Sequence, residues 1–355
     1  MLAVAARPYG VPVTLGERLR GHDNALNALR LCFALLVIAS HSFSTTGLDE
    51  PLWSGISLGK WALAGFFVIS GYLIPLSALR TGTQSFLARR ARRIYPGFWV
   101  MLALVAFVAA PLAAQLRHTD YLAGRAASFL LHNVSTLMLQ GDIGAETADL
   151  PSGLPFWNVP MWSVAVEVVL YLLVAALLVP AWLRRRQPLI PAVLFALAAT
   201  LFTTGNRQPG HDVALCVVFF AAGWLVAVAR DRVPASWGTV GLAALAALAG
   251  SLVQPVLAAL PFAVLVLALG AVLPVRRFDR NDVSYGTYLY GWPIQQLLVI
   301  GGVHSLGLPV MLAASLGLSL AAGTASWFAV ERRFLPGARR ARARTEALDA
   351  ELVAA

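Results

Sequence analysis

Residues 30–41 read RLCFALLVIASH: an arginine and a histidine bracket ten residues, of which only Ser40 is polar. A run of this kind reads as the middle of a membrane span, because a helix needs about 20 mostly apolar residues to cross the hydrocarbon layer. An ionisable group inside a span is costly, and where one is kept it faces a protein interior or a water-filled cavity. Arg30 and His41 are eleven positions apart, almost three helical turns, so both lie on one helix face about 16 Å apart along the axis. One polar face along a span points to a lined cavity. The plainer alternatives are an arginine that snorkels to the membrane surface and a histidine that is hydrogen-bonded for packing.

The rest of the chain extends the membrane reading. Of 355 residues, 59% are hydrophobic and 12% charged, against about half and about a quarter in soluble domains. Two cysteines, Cys32 and Cys216, lie far apart in apolar runs, so neither a disulfide framework nor a CxxC metal pair is available. The net charge of +10 comes from short basic clusters between apolar segments, which is how membrane topology is encoded and not a nucleic-acid footprint. LAVAA at the N-terminus is too short for a signal-peptide core, so the first apolar run is expected to remain as a span.

Apolar runs place about ten spans near 25–45, 59–79, 94–115, 158–180, 189–204, 213–229, 236–252, 256–273, 283–302 and 309–331. The fold expected is an all-α polytopic membrane protein with a tail at 1–24, a membrane domain at 25–331 and a basic tail at 332–355. With that assignment 22 Arg residues fall in the tails and even-numbered connections. Four basic residues (Lys60, Arg117, Arg125 and Arg207) fall on the other side. The positive-inside rule then predicts that both termini are cytoplasmic. The long connection at 116–157 is acidic and ends in PSGLPFWNVPMW; its apolar middle, ASFLLHNVSTLML, is short for a crossing and reads as re-entrant or surface-lying. No internal repeat is visible, which counts against a transporter built from inverted halves.

Four further islands stand out. Glu167, in PMWSVAVEVVLYLL, lies about two turns into a span with no basic residue near it in sequence, so it needs a partner from another helix or a proton. FLARRARRIYPGFW has four arginines in five positions (Arg89, Arg90, Arg92, Arg93), suited to phosphate recognition or to anchoring alone. GFFVISGYL, with Gly65, Ser70 and Gly71, permits close helix contact. NDVSYGTYLYGWPIQQ contains Ser284, Tyr285, Tyr288 and a proline, Pro293, that can kink its helix. Aromatic anchoring at the interface explains those tyrosines equally well.

Taken in chain order, these islands resemble the acyltransferase 3 family of integral membrane O-acyltransferases. Arg30 and His41 match its arginine–ten residues–histidine pattern. GFFVISGYL looks like its second-span signature, and Arg90 and Arg93 (or Arg89 and Arg92) fit its RxxR loop. Trp162, Ser163, Glu167 and Tyr171 fit its W-S-x-x-x-E-x-x-x-Y segment, and SYGTYLYGWP is similar to its late S-Y-x-x-Y-L motif. The resemblance runs from about 25 to 335. One departure is Gly291, which stands where many members have a second histidine.

The resemblance implies a multi-pass enzyme of the bacterial cytoplasmic membrane. It would move an acetyl group from acetyl-CoA, as acyl-donor substrate, to a hydroxyl of a cell-surface or extracellular carbohydrate, with no metal and no nucleic-acid partner. It implies His41 as general base or acyl carrier, with Glu167 orienting it or fixing the helix pack. Arg30, Arg89, Arg90, Arg93 and Tyr285 would surround the donor. Trp162, Ser70 and Tyr288 would line the acceptor side. A proton-coupled transporter or flippase using His41 and Glu167 is the competing reading, and acetyl-CoA dependence separates the two.

Overall fold

The computed structural model describes residues 12–21, 23–205, 209–275 and 281–335. Most of the basic tail, with Arg276, Arg277, Arg280 and Arg207, lies outside the described residues. Each of the ten apolar runs is helical. They are α1 (Leu26–Thr45), α2 (Leu58–Arg80), α3 (Thr83–Arg117), α5 (Trp162–Leu178), α6 (Leu189–Thr204), α7 (Pro209–Ala229), α8 (Trp237–Val253), α9 (Pro255–Val272), α10 (Ser284–Ile300) and α11 (Leu308–Phe334). An eleventh helix, α4 (Ala123–Asn133), lies in the long connection between α3 and α5. Seven of these are long and apolar enough to cross a membrane, and α6 and α8 are shorter apolar helices. Phe107, Val169, Leu172, Val193 and Leu242 are all more than half exposed. Such apolar exposure is a liability in water and the expected surface in lipid. The chain is a polytopic, all-α membrane protein.

One boundary differs from the sequence reading. The arginine cluster is not in a connection: α3 starts at Thr83, after Gly82, and carries all four arginines inside its first turns. Ala, Arg and Leu are good helix formers, so FLARRARR continues the helix that the apolar run begins. Arg90 and Arg93 are therefore one turn apart on one face. Residues 105–109 widen into a π-helical turn before α3 resumes.

The chain forms two compact units. One contains Met1–Leu29, Gly65–Leu73 and Arg186–Arg280. Inside it, α8 and α9 pack as a hairpin joined through Gln254. The signature GFFVISGYL crosses α7 at backbone distance: a Cβ on Gly71 would overlap the Phe220 carbonyl, and one on Gly223 would overlap the Val68 carbonyl. Only glycine permits that approach. Leu15, ahead of α1, is fully buried, and its N–H donates to the Val233 carbonyl.

The other unit contains Arg30–Ala64, Ile74–Arg185 and Asn281–Ala355. Here α10 and α11 pack closely, with Gly323 against the Thr287 backbone. Between α1 and α2 sits a two-stranded antiparallel hairpin, β1 (Leu52–Trp53) and β2 (Ile56–Ser57). Ser54 and Gly55 both have positive φ in its turn, the backbone that tight hairpins favour. Ser57 then caps α2 by accepting from the Lys60 N–H.

Candidate active site

Every side chain described next, Ser70 excepted, belongs to the unit that contains Arg30–Ala64. α1 and α10 lie side by side in it. Gln295 donates to the Ile38 carbonyl (2.8 Å) and to the Ser42 hydroxyl (2.9 Å). Gly291 faces Ile38, and a Cβ there would stand 2.7 Å from Ile38 Cγ1. A histidine at position 291 therefore requires Ile38 to move, which accounts physically for the glycine in this chain.

At the Arg30 end of α1 the charges are tied together. Arg30 and Arg93 both donate to Asp282 Oδ2, at 3.2 and 2.5 Å. Arg93 uses its other terminal nitrogen on Glu331 Oε2 at 3.2 Å. Glu331 accepts from Ser326 (2.9 Å) at its second oxygen, and Asp282 accepts from the Ser284 hydroxyl and N–H at its second oxygen. The Arg93 guanidinium lies over Tyr285 and Trp327, 5.4 and 5.5 Å from the ring centres. Tyr285 in turn donates to the Ile94 carbonyl (2.9 Å). Burial alone would raise the Asp282 carboxyl, but the flanking Arg93 and Arg30 and the bonds from Ser284 outweigh it and hold it below the usual carboxylate range.

Arg90 is placed differently. Its guanidinium sits between Phe86 and Tyr171, 5.7 Å from each ring, close enough to Arg30 and Glu167 to feel their charges. Arg90 Nε and Arg30 Nε are buried and have no hydrogen-bond partner among the described residues. Arg89 turns the other way and donates to Thr81. Glu167 accepts from Tyr171 OH at 2.7 Å, one turn along its own helix. The carboxylate bonded to His41 is a different one.

The acid is Glu50. Its Oε1 lies 2.7 Å from His41 Nδ1, and its Oε2 accepts from Ser40 at 2.7 Å. The Gly59 N–H, at the start of α2, donates to Ser40 (3.0 Å), which fixes Ser40 in turn. Burial would raise Glu50, but the bond and charge of His41 and the hydroxyls of Ser40 and Ser57 lower it to about 2. The pair is not sealed, with His41 and Glu50 side chains 23% and 18% exposed. Trp292 stands edge-on to the His41 ring at 5.3 Å. Its indole N–H donates to the Phe156 carbonyl (2.8 Å), so the end of the long connection is pinned beside His41. Gln296 holds the same carbonyl (3.1 Å) and that of Leu154 (3.2 Å).

Of the residues singled out in sequence, Arg30, Arg90, Arg93, Glu167 and Tyr285 meet at one end of α1, and His41 stands at the other. Tyr288 donates to the Pro160 carbonyl and bonds Ser163 (2.7 Å), fastening α10 to the start of α5, where Trp162 is half-buried. Ser70 is buried in the Gly65–Leu73 stretch of the other unit. Three acids that complete the site (Glu50, Asp282 and Glu331) were not singled out. Glu50 carried a signal, an acid nine residues after His41 in a connection too short to carry it far away.

A family model described as an acyltransferase domain matches residues 23–328. The chain belongs to the acyltransferase 3 family. As a member it is a membrane acyltransferase, the enzyme reading and not the transporter one. It is 27% identical over 342 residues to a protein of Shigella phage Sf6 named O-acetyl transferase, an alignment covering 88% of this chain and 96% of that one. It is also 27% identical over 337 residues to nodulation protein 10 of Rhizobium leguminosarum bv. viciae, covering 81% and 86%. No solved structure matches the chain. The features that set this acyltransferase apart from a bare helix bundle are the His41–Glu50 pair and the buried arginines.

Proposed function

We propose that this acyltransferase moves an acetyl group from acetyl-CoA to a hydroxyl of a cell-surface or extracellular carbohydrate, in the cytoplasmic membrane of a bacterium with both termini in the cytoplasm. The observation that carries the proposal is the His41–Glu50 pair. With Nδ1 held by a carboxylate, Nε2 is the nitrogen left to take a proton, and the ionised Glu50 stabilises the imidazolium that results. The acceptor hydroxyl gives its proton to His41 as its oxygen attacks the thioester carbonyl. The C–O bond forms, the C–S bond breaks, and the CoA thiolate leaves and takes up a proton.

The arginine end supports a site for the anionic donor. Buried guanidinium N–H groups without a partner are uncommon, and Arg90 Nε and Arg30 Nε suit phosphate or carbonyl oxygens of CoA. Arg93 has both terminal nitrogens on carboxylates, so it positions Arg30 through Asp282 and leaves phosphate to Arg90. Tyr285 packs under Arg93 and supports it. The basic excess on one side of the spans supports placing the arginine end toward cytoplasmic CoA, which puts His41 nearer the outer face. Glycan acceptors offer C–H faces to aromatic rings, and Trp162 and Tyr288 are assigned to the acceptor side by the family pattern.

The test uses purified protein in nanodiscs with labelled acetyl-CoA. Wild type should bind the donor and release CoA thiol when acceptor glycan is present, and His41→Ala should bind without release. A folded wild type that does not bind acetyl-CoA would sink the proposal.

A further inference from the structure

The stretch after α3 has the construction of a membrane-embedded element. α3 ends at Arg117, and the chain then runs back along it. Tyr121 OH donates to the Ala106 carbonyl (2.9 Å), and Trp99 Nε1 donates to the Val134 carbonyl (3.0 Å). Ala106 and Trp99 are seven residues apart, so between these two bonds α4 descends about 10 Å along α3. It descends beside the apolar, exposed face of a span: Trp99, Leu104 and Phe107 are 48%, 43% and 54% exposed. Leu131, Val134, Leu137 and Leu139 continue that face, at 75%, 48%, 50% and 70%. Residues 126–139 contain no Asp, Glu, Lys or Arg.

The polar groups Ser128, Asn133 and Gln140 of this stretch bond one another and the local backbone, an independent observation, while His132 and Ser135 are exposed. Asn133 is fully buried. Its side-chain oxygen accepts from the Leu139 and Gln140 N–H groups (3.0 and 3.2 Å), and its amide donates to the Gln140 carbonyl (2.7 Å). Ser128 donates to Gln140 Oε1 (2.8 Å), and the exposed His132 ring bonds back to the Ser128 carbonyl (2.9 Å). A surface loop in water can leave its exposed backbone groups to solvent. Backbone at membrane depth requires internal partners, since each unpaired group there costs several kcal/mol. Arg125, near the start of α4, pairs with Asp142 (2.6 Å); the charge-free stretch 126–139, its outward leucines and its bonded polar atoms all match one partner. We propose that residues 126–139 form a re-entrant element whose outer surface is a contact for bilayer lipid, so that the connection reaching His41 starts within the membrane.

The test is spin-label accessibility in nanodiscs, in a Cys32→Ala background because Cys32 is exposed and Cys216 buried. Labels go on Leu131→Cys and Leu139→Cys. Phe107→Cys is the lipid reference, and Asp120→Cys, at an exposed charged position, is the aqueous one. Each variant must elute as wild type does on size exclusion, with Leu137→Cys held as a replacement. The expected result is relaxation dominated by molecular oxygen at 131 and 139, matching the label at 107. Relaxation dominated by the water-soluble nickel chelate, as at 120, would overturn the proposal. So would protection from both reagents, which would place a second protein surface over the leucines.

Discussion

The two ends of α1 carry the same kind of residue and are built for opposite purposes. Around Arg30 every acid is locked: Asp282 joins two arginines, Glu331 holds Arg93 from the far side, and the Arg93, Asp282 and Glu331 side chains are 17%, 11% and 2% exposed. Around His41 a single acid meets a single base, and both stay open by about a fifth. Buried ion pairs stabilise weakly in net terms, but removing one partner is costly. The closed end therefore reads as scaffold for the neighbouring Arg90 and Arg30, and the open end as the place where a proton can move.

This contrast fails if the two ends respond alike to mutation. The largest effect is expected at His41. His41→Ala should lower turnover by about 10²–10⁴-fold, the range for a positioned acid–base group, with donor affinity unchanged by equilibrium binding. Arg93→Ala should act on folding, destabilising by about 3–5 kcal/mol because it strands Asp282 and Glu331. Thermal unfolding in nanodiscs would show this, and Arg93→Lys should recover part of it. Arg90→Ala should raise KM for the donor by an amount equivalent to about 1.5–3 kcal/mol, the worth of a hydrogen bond to a charged group. Its melting temperature should stay close to that of wild type.

The smallest effect is a pH dependence. Glu50 is depressed from 4.5 to about 2 in the fold. A depressed carboxylate contributes stability that is present above its unfolded pKa and lost as pH falls through the folded one. The stability gap between wild type and Glu50→Gln should be present above the ordinary carboxylate range. It should then close as pH falls toward 2, as followed by unfolding at stepped pH.

The helices were legible because span length and apolar content are local properties, and each apolar run is a helix near its expected bounds. The start of α3 was less legible: charge marked residues 89–93 as a connection, whereas helix propensity carries straight through them. At the site, Arg30 and His41 stand out because ionisable groups in apolar runs are conspicuous, and Arg90 because it belongs to a cluster of four arginines. Their partners do not. Asp282 and Glu331 sit at span ends, where acids are ordinary, and lie 189 and 238 positions from Arg93. Pairings at that separation are fixed by how helices pack, which no local pattern encodes. Glu167 is conspicuous for the same reason as His41, and it meets Tyr171 one turn away and the charge of Arg90 from another helix.

The most direct test compares Arg90→Ala with Glu50→Gln in one nanodisc preparation, measuring acetyl-CoA dissociation constant and single-turnover rate at saturating donor. The division of labour along α1 predicts that Arg90→Ala weakens binding and keeps the rate, while Glu50→Gln keeps binding and slows the rate. If both variants change the same parameter by similar factors, the two ends of α1 are one site, and the division proposed for them is wrong.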